Sequence, residues 1–81
     1  LTANRKLRKL GEVIGISSQR NLIVKVQSSR IPKINSKVFD KRKRVVGFVF
    51  DIIGPVESPY AVVKPEVYHE EMKGKILYVW R

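Results

Sequence analysis

Hydrophobic and polar positions alternate with a period of two along much of the chain. Leu22, Val24 and Val26 alternate with Ile23, Lys25 and Gln27, the pattern of a half-buried strand rich in β-branched residues. Leu10 to Ile16 (LGEVIGI) is a second strand candidate, and the polar stretch Ser17 to Asn21 (SSQRN) joins the two as a hairpin. Within that turn, Arg20-Asn21 is the place for unusual backbone angles. Ile31-Pro32 holds the residue before the proline extended. Lys37 to Phe39 reads as a short strand, and Asp40 to Arg44 as a charged turn.

Val45 to Ile53 (VVGFVFDII) is the most apolar stretch. One face carries Val46, Phe48, Phe50 and Ile52; the other carries Val45, Gly47, Val49, Asp51 and Ile53. Both faces are largely apolar, so both sides should be covered, one by the core and one by a barrel neighbour or a partner. Sharing a face with Val46 and Ile52 assigns Phe48 and Phe50 to the core. Gly47 inside the strand predicts a bulge, a bend or a close backbone approach. Gly54-Pro55 ends the strand and Ser58-Pro59 opens the next, Tyr60 to Lys64, which stops at Pro65. Glu66 to Met72 predicts one helical turn with Gly74 near its C-terminal cap, and Ile76 to Trp80 predicts a last strand whose Tyr78 and Trp80 share one face. The chain shows no internal repeat and no low-complexity tail. About six short strands with frequent turns favour a small closed antiparallel barrel, an all-β fold that hides its edges.

Composition narrows the chemistry. The chain has 81 residues, enough for one thin-cored domain. It begins at Leu1 rather than Met, as expected of a fragment. It has no cysteine and one histidine, which excludes disulfides, thiolate catalysis and multi-His or Cys metal centres. No apolar run approaches the roughly 18 residues of a membrane-spanning helix. His69, Ser36 and Ser58 have no spacing that implies a triad, Asp51 is expected to meet a basic or backbone donor, and no Gly-rich phosphate loop is present. No enzyme, cofactor or metal is expected.

The net charge of +10 argues for a polyanion, or an assembly containing one, as partner. It is unevenly distributed: residues 1–50 carry thirteen Lys/Arg against two acids, residues 51–81 four against five. Arg5, Lys6, Arg8 and Lys9 form one basic run, within an N-terminal extension (1–9) that lacks apolar periodicity and is free to flex. Lys41, Arg42, Lys43 and Arg44 form another, which is either a solvated hairpin tip or a set of phosphate contacts.

The run VVGFVFDIIGPVESPYAVVKP (45–65) resembles the core signature of the GAR-type subunit of H/ACA ribonucleoproteins, in its archaeal form. The matching positions are Gly47, Val49, Asp51, Ile52, Ile53, Gly54, Pro55, Val56, Pro59, Tyr60, Val63, Lys64 and Pro65. LGEVIGISSQRNLIVKV resembles the opening hairpin of that family, and IPKINSKVFDKRKRVVG its next segment with a basic turn; the likeness spans roughly residues 10–79. The resemblance implies a six-stranded barrel of the elongation-factor/reductase type without catalysis of its own. It implies binding to the catalytic domain of a dyskerin-like pseudouridine synthase, indirect association with the guide RNA particle, and assistance in loading and releasing substrate RNA during rRNA pseudouridylation. The Arg-Gly-rich tails of eukaryotic members are not seen here, which points to the cytoplasm of an archaeal cell.

The two readings converge on Ile53, Gly54, Pro55, Val56, Pro59 and Tyr60 as a protein interface, with Val49 as a weaker member. Prolines pre-set that loop, so little ordering entropy is lost on docking. The alternative use of the same residues is simply to close the barrel. An isolated chain with such a patch uncovered is expected to be able to pair with a second copy. The competing function is direct RNA binding by a basic small barrel, with Lys41, Arg42, Lys43 and Arg44 as the main contacts.

Overall fold

The first strand, β1 (Leu7–Ile16), is hydrogen-bonded along both edges, and that is what closes the fold. The computed structural model describes residues 6–27 and 30–81. Five further strands follow: β2 (Leu22–Val26), β3 (Lys37–Phe39), β4 (Val45–Ile53), β5 (Tyr60–Pro65) and β6 (Ile76–Trp80), with one 3-10 turn at Glu70–Met72. They form a closed barrel in the order β1-β2-β5-β4-β3-β6, every neighbouring pair antiparallel. The all-β closed six-stranded barrel expected from the alternation is the fold observed. Arg5 and the rest of residues 1–5 lie outside the described residues. Leu7 to Lys9 are part of β1, paired with Trp80, Val79 and Tyr78, so the strand starts three residues before the periodic pattern does.

The interior is filled by β-branched and leucine side chains from all six strands, among them Val13, Val24, Val38, Val49, Val63 and Val79. Closing so few strands around so small a core requires sharp bending, and the two long strands supply it. The pairing register slips four times, and the extra residue always belongs to β1 or β4. In β1 these are Leu10 against β6 and Ile14 against β2; in β4 they are Val46 against β3 and Phe50 against β5. Such bulges kink a strand and increase its twist.

The slips reveal a repeat. Leu10-Gly11-Glu12-Val13-Ile14-Gly15-Ile16 in β1 corresponds to Val46-Gly47-Phe48-Val49-Phe50-Asp51-Ile52 in β4, bulge for bulge. Gly11 opposes Val26 and Leu77; Gly47 opposes Pro65 and Val38. The connectors repeat as well. The N–H groups of Asn35 and Val49 bond the carbonyls of Val49 and Ser36, while those of Gly74 and Val13 bond the carbonyls of Val13 and Lys75. Asn35 and Gly74 both have positive φ, 73° and 91°. Strands β1–β3 are thus the counterpart of β4–β6. Because β2 pairs with β5 and β3 with β6, an approximate two-fold axis passes through the Ile23↔Val62 and Phe39↔Tyr78 pairs. The linear sequence shows no obvious repeat, because only a seven-residue core is alike and the turns differ in length.

The bulges also correct the facing of β4. Phe50 does not lie in the core; it is the extra residue opposite Val62 and Val63 and is 50% exposed. Val49 and Gly47 point inward instead, and after the slip Ile52 returns to the core, while Phe48 is half-buried. At one end of the barrel the Arg20 guanidinium lies 5.5 Å from the Tyr68 ring centre, linking the β1–β2 turn to the segment before β6.

Gly47 answers the sequence expectation by close backbone approach: a Cβ there would overlap the Lys64 carbonyl, and one at Gly11 would overlap the equivalent Lys25 carbonyl. Gly47→Ala and Gly11→Ala should each cost about 1–3 kcal/mol through forced backbone displacement. Gly15→Ala, whose Cβ would meet nothing within 4 Å, should stay within about 0.5 kcal/mol of wild type. Urea unfolding of the three variants checks the contrast.

Candidate functional site

The two halves of the barrel differ most where the first strand of each joins the second. In the first half the polar turn 17–21 connects Ile16 to Leu22; in the second, residues 53–60 connect Ile52 to Ala61 and are three residues longer. The extra length falls within the GPVESP segment. It is held in place by its own backbone: the Ser58 N–H bonds the Pro55 carbonyl at 3.1 Å, and the Val26 N–H bonds the Pro59 carbonyl at 3.2 Å. Gly54 has φ 89°, and a Cβ there would come within 3.0 Å of Tyr60 Cδ1. The absent side chain therefore makes room for the Tyr60 ring beside the turn, and both constraints select glycine.

The result is a stiff loop with its apolar side chains outward. Ile53 is 42% and Val56 88% exposed, Gly54 and Pro55 are exposed, and Pro59 and Tyr60 are half-buried. Tyr60 pairs with Ile53 on one side and Lys25 on the other, so the loop continues onto the outer face of β2, β5 and β4. Val49 does not belong with them. It is fully buried inside the barrel and has no surface to offer a partner. Phe50 does belong, two pairs from Tyr60 on that outer face, and the alternation missed it because the bulge turns it out. The one sequence signal was its neighbour Asp51, a carboxylate that a fully covered strand would not hold. That carboxylate is exposed and accepts the Ile52 N–H at 2.8 Å.

The basic turn is differently built. The Asp40 carboxylate accepts the backbone N–H groups of Arg42 (2.8 Å) and Arg44 (3.0 Å) and the Arg44 Nε (3.2 Å). Lys43 sits at φ 67°. Arg44 is thus engaged within the turn, while Lys41, Arg42 and Lys43 project into solvent. Partial burial pushes the Asp40 carboxyl up, but the Arg44 and Arg42 N–H donors and the Arg44 charge outweigh it and hold it below its ordinary value.

His69 is exposed at the start of the 3-10 turn, and its carbonyl accepts the Met72 N–H. Among the described residues there is no cluster of three His, Asp or Glu side chains that could hold a metal, and no helix long and apolar enough to cross a membrane.

A closed six-stranded barrel with a rigid, outward-facing apolar loop and a strongly basic surface is a binding module in design. Residues 7–80 match the Gar1/Naf1 RNA binding region, and the chain belongs to that family. An uncharacterized protein of Methanothermobacter thermautotrophicus is 30% identical over 78 residues, covering 90% of this chain and 83% of the relative. The family is an RNA-binding one, not a catalytic one, and the chain accordingly has an RNA-associated role.

Asp40→Ala should destabilise the domain at neutral pH by about 1 kcal/mol, through the loss of two N–H acceptors and one exposed ion pair. Because folding lowers this carboxyl's pKa, its contribution is present above the ordinary carboxylate range and is lost as pH falls through the lowered value. Thermal melts of wild type and variant should differ at pH 7 and converge under strongly acid conditions.

Proposed function

We propose that this chain is a non-catalytic subunit of an H/ACA ribonucleoprotein, which docks on a dyskerin-like pseudouridine synthase and assists loading and release of substrate RNA during rRNA pseudouridylation. The observation that carries the proposal is the loop 53–60. It is the main length difference between two otherwise equivalent half-barrels, and the barrel closes without its outer side chains. Simple closure would have been served by a polar turn such as 17–21. Instead the loop holds Ile53 and Val56 away from the core, rigidly, next to Phe50 and Tyr60. Exposed apolar groups rimmed by polar residues mark protein contacts, and aromatic anchors beside prolines suit a docking site that loses little entropy.

In this reading Ile53, Gly54, Pro55, Val56, Pro59 and Tyr60 form the interface, with Phe50 in place of Val49. Lys41, Arg42 and Lys43 lie on the turn between β3 and β4, at the opposite end of the barrel from the loop. They add attraction toward the guide RNA of the particle without being buried in the protein contact. We further propose the cytoplasm of an archaeal cell as its working place.

Ile53→Glu combined with Val56→Glu should abolish co-purification with the synthase, while the melting temperature of the domain stays close to wild type because both side chains are exposed. Retained binding by that folded variant would refute the interface. In the absence of the synthase the same patch should pair two copies of the chain. Sedimentation velocity should show a concentration-dependent dimer for wild type and a monomer for the double variant.

A further inference from the structure

The connectors before β3 (of which residues 27 and 30–36 are described) and before β6 (66–75) occupy equivalent places in the two halves, but the second, with three Glu beside Lys73 and Lys75, lacks the net positive charge of the first. The second carries Glu66, Glu70 and Glu71 and packs Met72 against the core. The first has Lys33 where the second has Met72, and Arg30 where the second has His69. Lys37 opens β3 where Ile76 opens β6. The same architecture is thus built with and without these cations, and folding does not require them.

Around the first connector lies a groove of about 570 Å³. Arg8, Arg30, Lys33, Lys37 and Arg81 line it together with Ile31 and Trp80, and among the described residues no Asp or Glu side chain does. Arg8 Nη1 donates to the Arg30 carbonyl at 2.9 Å. Partial burial, and then the charge of Arg30, hold the Arg8 guanidinium below its ordinary pKa. The counterpart of Arg8 in the second half is Arg44, which meets Asp40; the place equivalent to Asp40 is taken by Val79. Trp80 is fixed by its contact with Phe39, with ring centres 4.7 Å apart and planes tilted by 59°. The groove belongs to the β1–β6–β3 half of the ring, whereas loop 53–60 belongs to the β2–β5–β4 half.

We infer that this groove binds a short stretch of single-stranded RNA, its phosphates among Arg30, Lys33, Lys37 and Arg81 and a base against Trp80 and Ile31. The inference rests on the RNA-associated role of the family and not on docking to the synthase. Lys33, Lys37 and Arg81 add their charge to that of Arg8 and Arg30 in one groove, and the combined field favours a polyanion. A rigid aromatic ring and an exposed isoleucine among the cations fit an unpaired base rather than a duplex, which offers mainly its phosphates and sugars. With the apolar loop on the other half of the ring, both surfaces are usable at once.

Trp80 is the only tryptophan in the chain, so its fluorescence reports on the groove directly. The test is titration of the full chain, without synthase, with an oligouridylate of about 12 nucleotides, followed by Trp emission and by anisotropy of the labelled RNA. Binding should quench Trp80. Arg30→Ala/Lys33→Ala/Lys37→Ala should weaken binding about 10-fold or more at low salt and flatten the slope of log K against log salt by about 2, near 0.7 for each phosphate no longer neutralised. Lys41→Ala/Arg42→Ala/Lys43→Ala removes the same charge and should weaken binding less than about 3-fold if it acts through long-range attraction alone. Unchanged Trp80 emission, equal weakening in the two variants, equal affinity for duplex RNA, or equal competition by polyphosphate would each overturn the inference. A failure here leaves the synthase contact untouched, because the synthase is absent from the titration.

Discussion

Closure of six strands over a core of small aliphatic side chains is the constraint on which the rest of this protein depends. A barrel this narrow forces β1 and β4, which stand opposite each other in the ring, to bend twice each. The bends are possible because Gly11 and Gly47 let a neighbouring carbonyl come where a Cβ would stand. With closure there is no free sheet edge, and backbone pairing is satisfied around the full ring. What is left for recognition is the outer face, the two ends and the loops.

The approximate two-fold symmetry separates what the fold needs from what it carries in addition. Positions that agree between the halves are the core valine pairs Val13/Val49 and Val24/Val63, the paired glycines, the connector hydrogen bonds and the positive-φ residues before β3 and β6. These are conditions of closure. Positions that differ are the longer apolar loop after β4, the cationic connector before β3, and the acidic one before β6. They have no counterpart that closure would demand, and the first two are the places where the proposed partners make contact.

The elements were legible in the alternation. β3 and β6 fall where the pattern put them, β2 and β5 differ by a residue at one end, and the turns at 17–21 and 40–44 carry the predicted positive φ at Arg20 and the predicted charge. The glycine argument also held at Gly47. Facing was not legible in β4. A period of two assumes an unbroken ladder, and the bulges at Val46 and Phe50 reverse the facing between them and restore it at Ile52; hence Phe50 was placed inside and Val49 on the surface. The run 41–44 is conspicuous in sequence, and the structure adds that its last member, Arg44, pairs with Asp40.

By itself the amino-acid order determined the strands, the turns, the basic character and, through the GPVESPY signature, the family. These are local properties, written within a few neighbouring residues. Only the tertiary structure decided which side chains of the bulged strands face out, that two halves of unlike turn length are counterparts, and that Arg8, Arg30, Lys33, Lys37 and Arg81 share one groove. Those cations come from separate parts of the chain, and no periodicity relates them. They meet because β1 and β3 both pair with β6, and that adjacency is a product of ring closure rather than of sequence proximity.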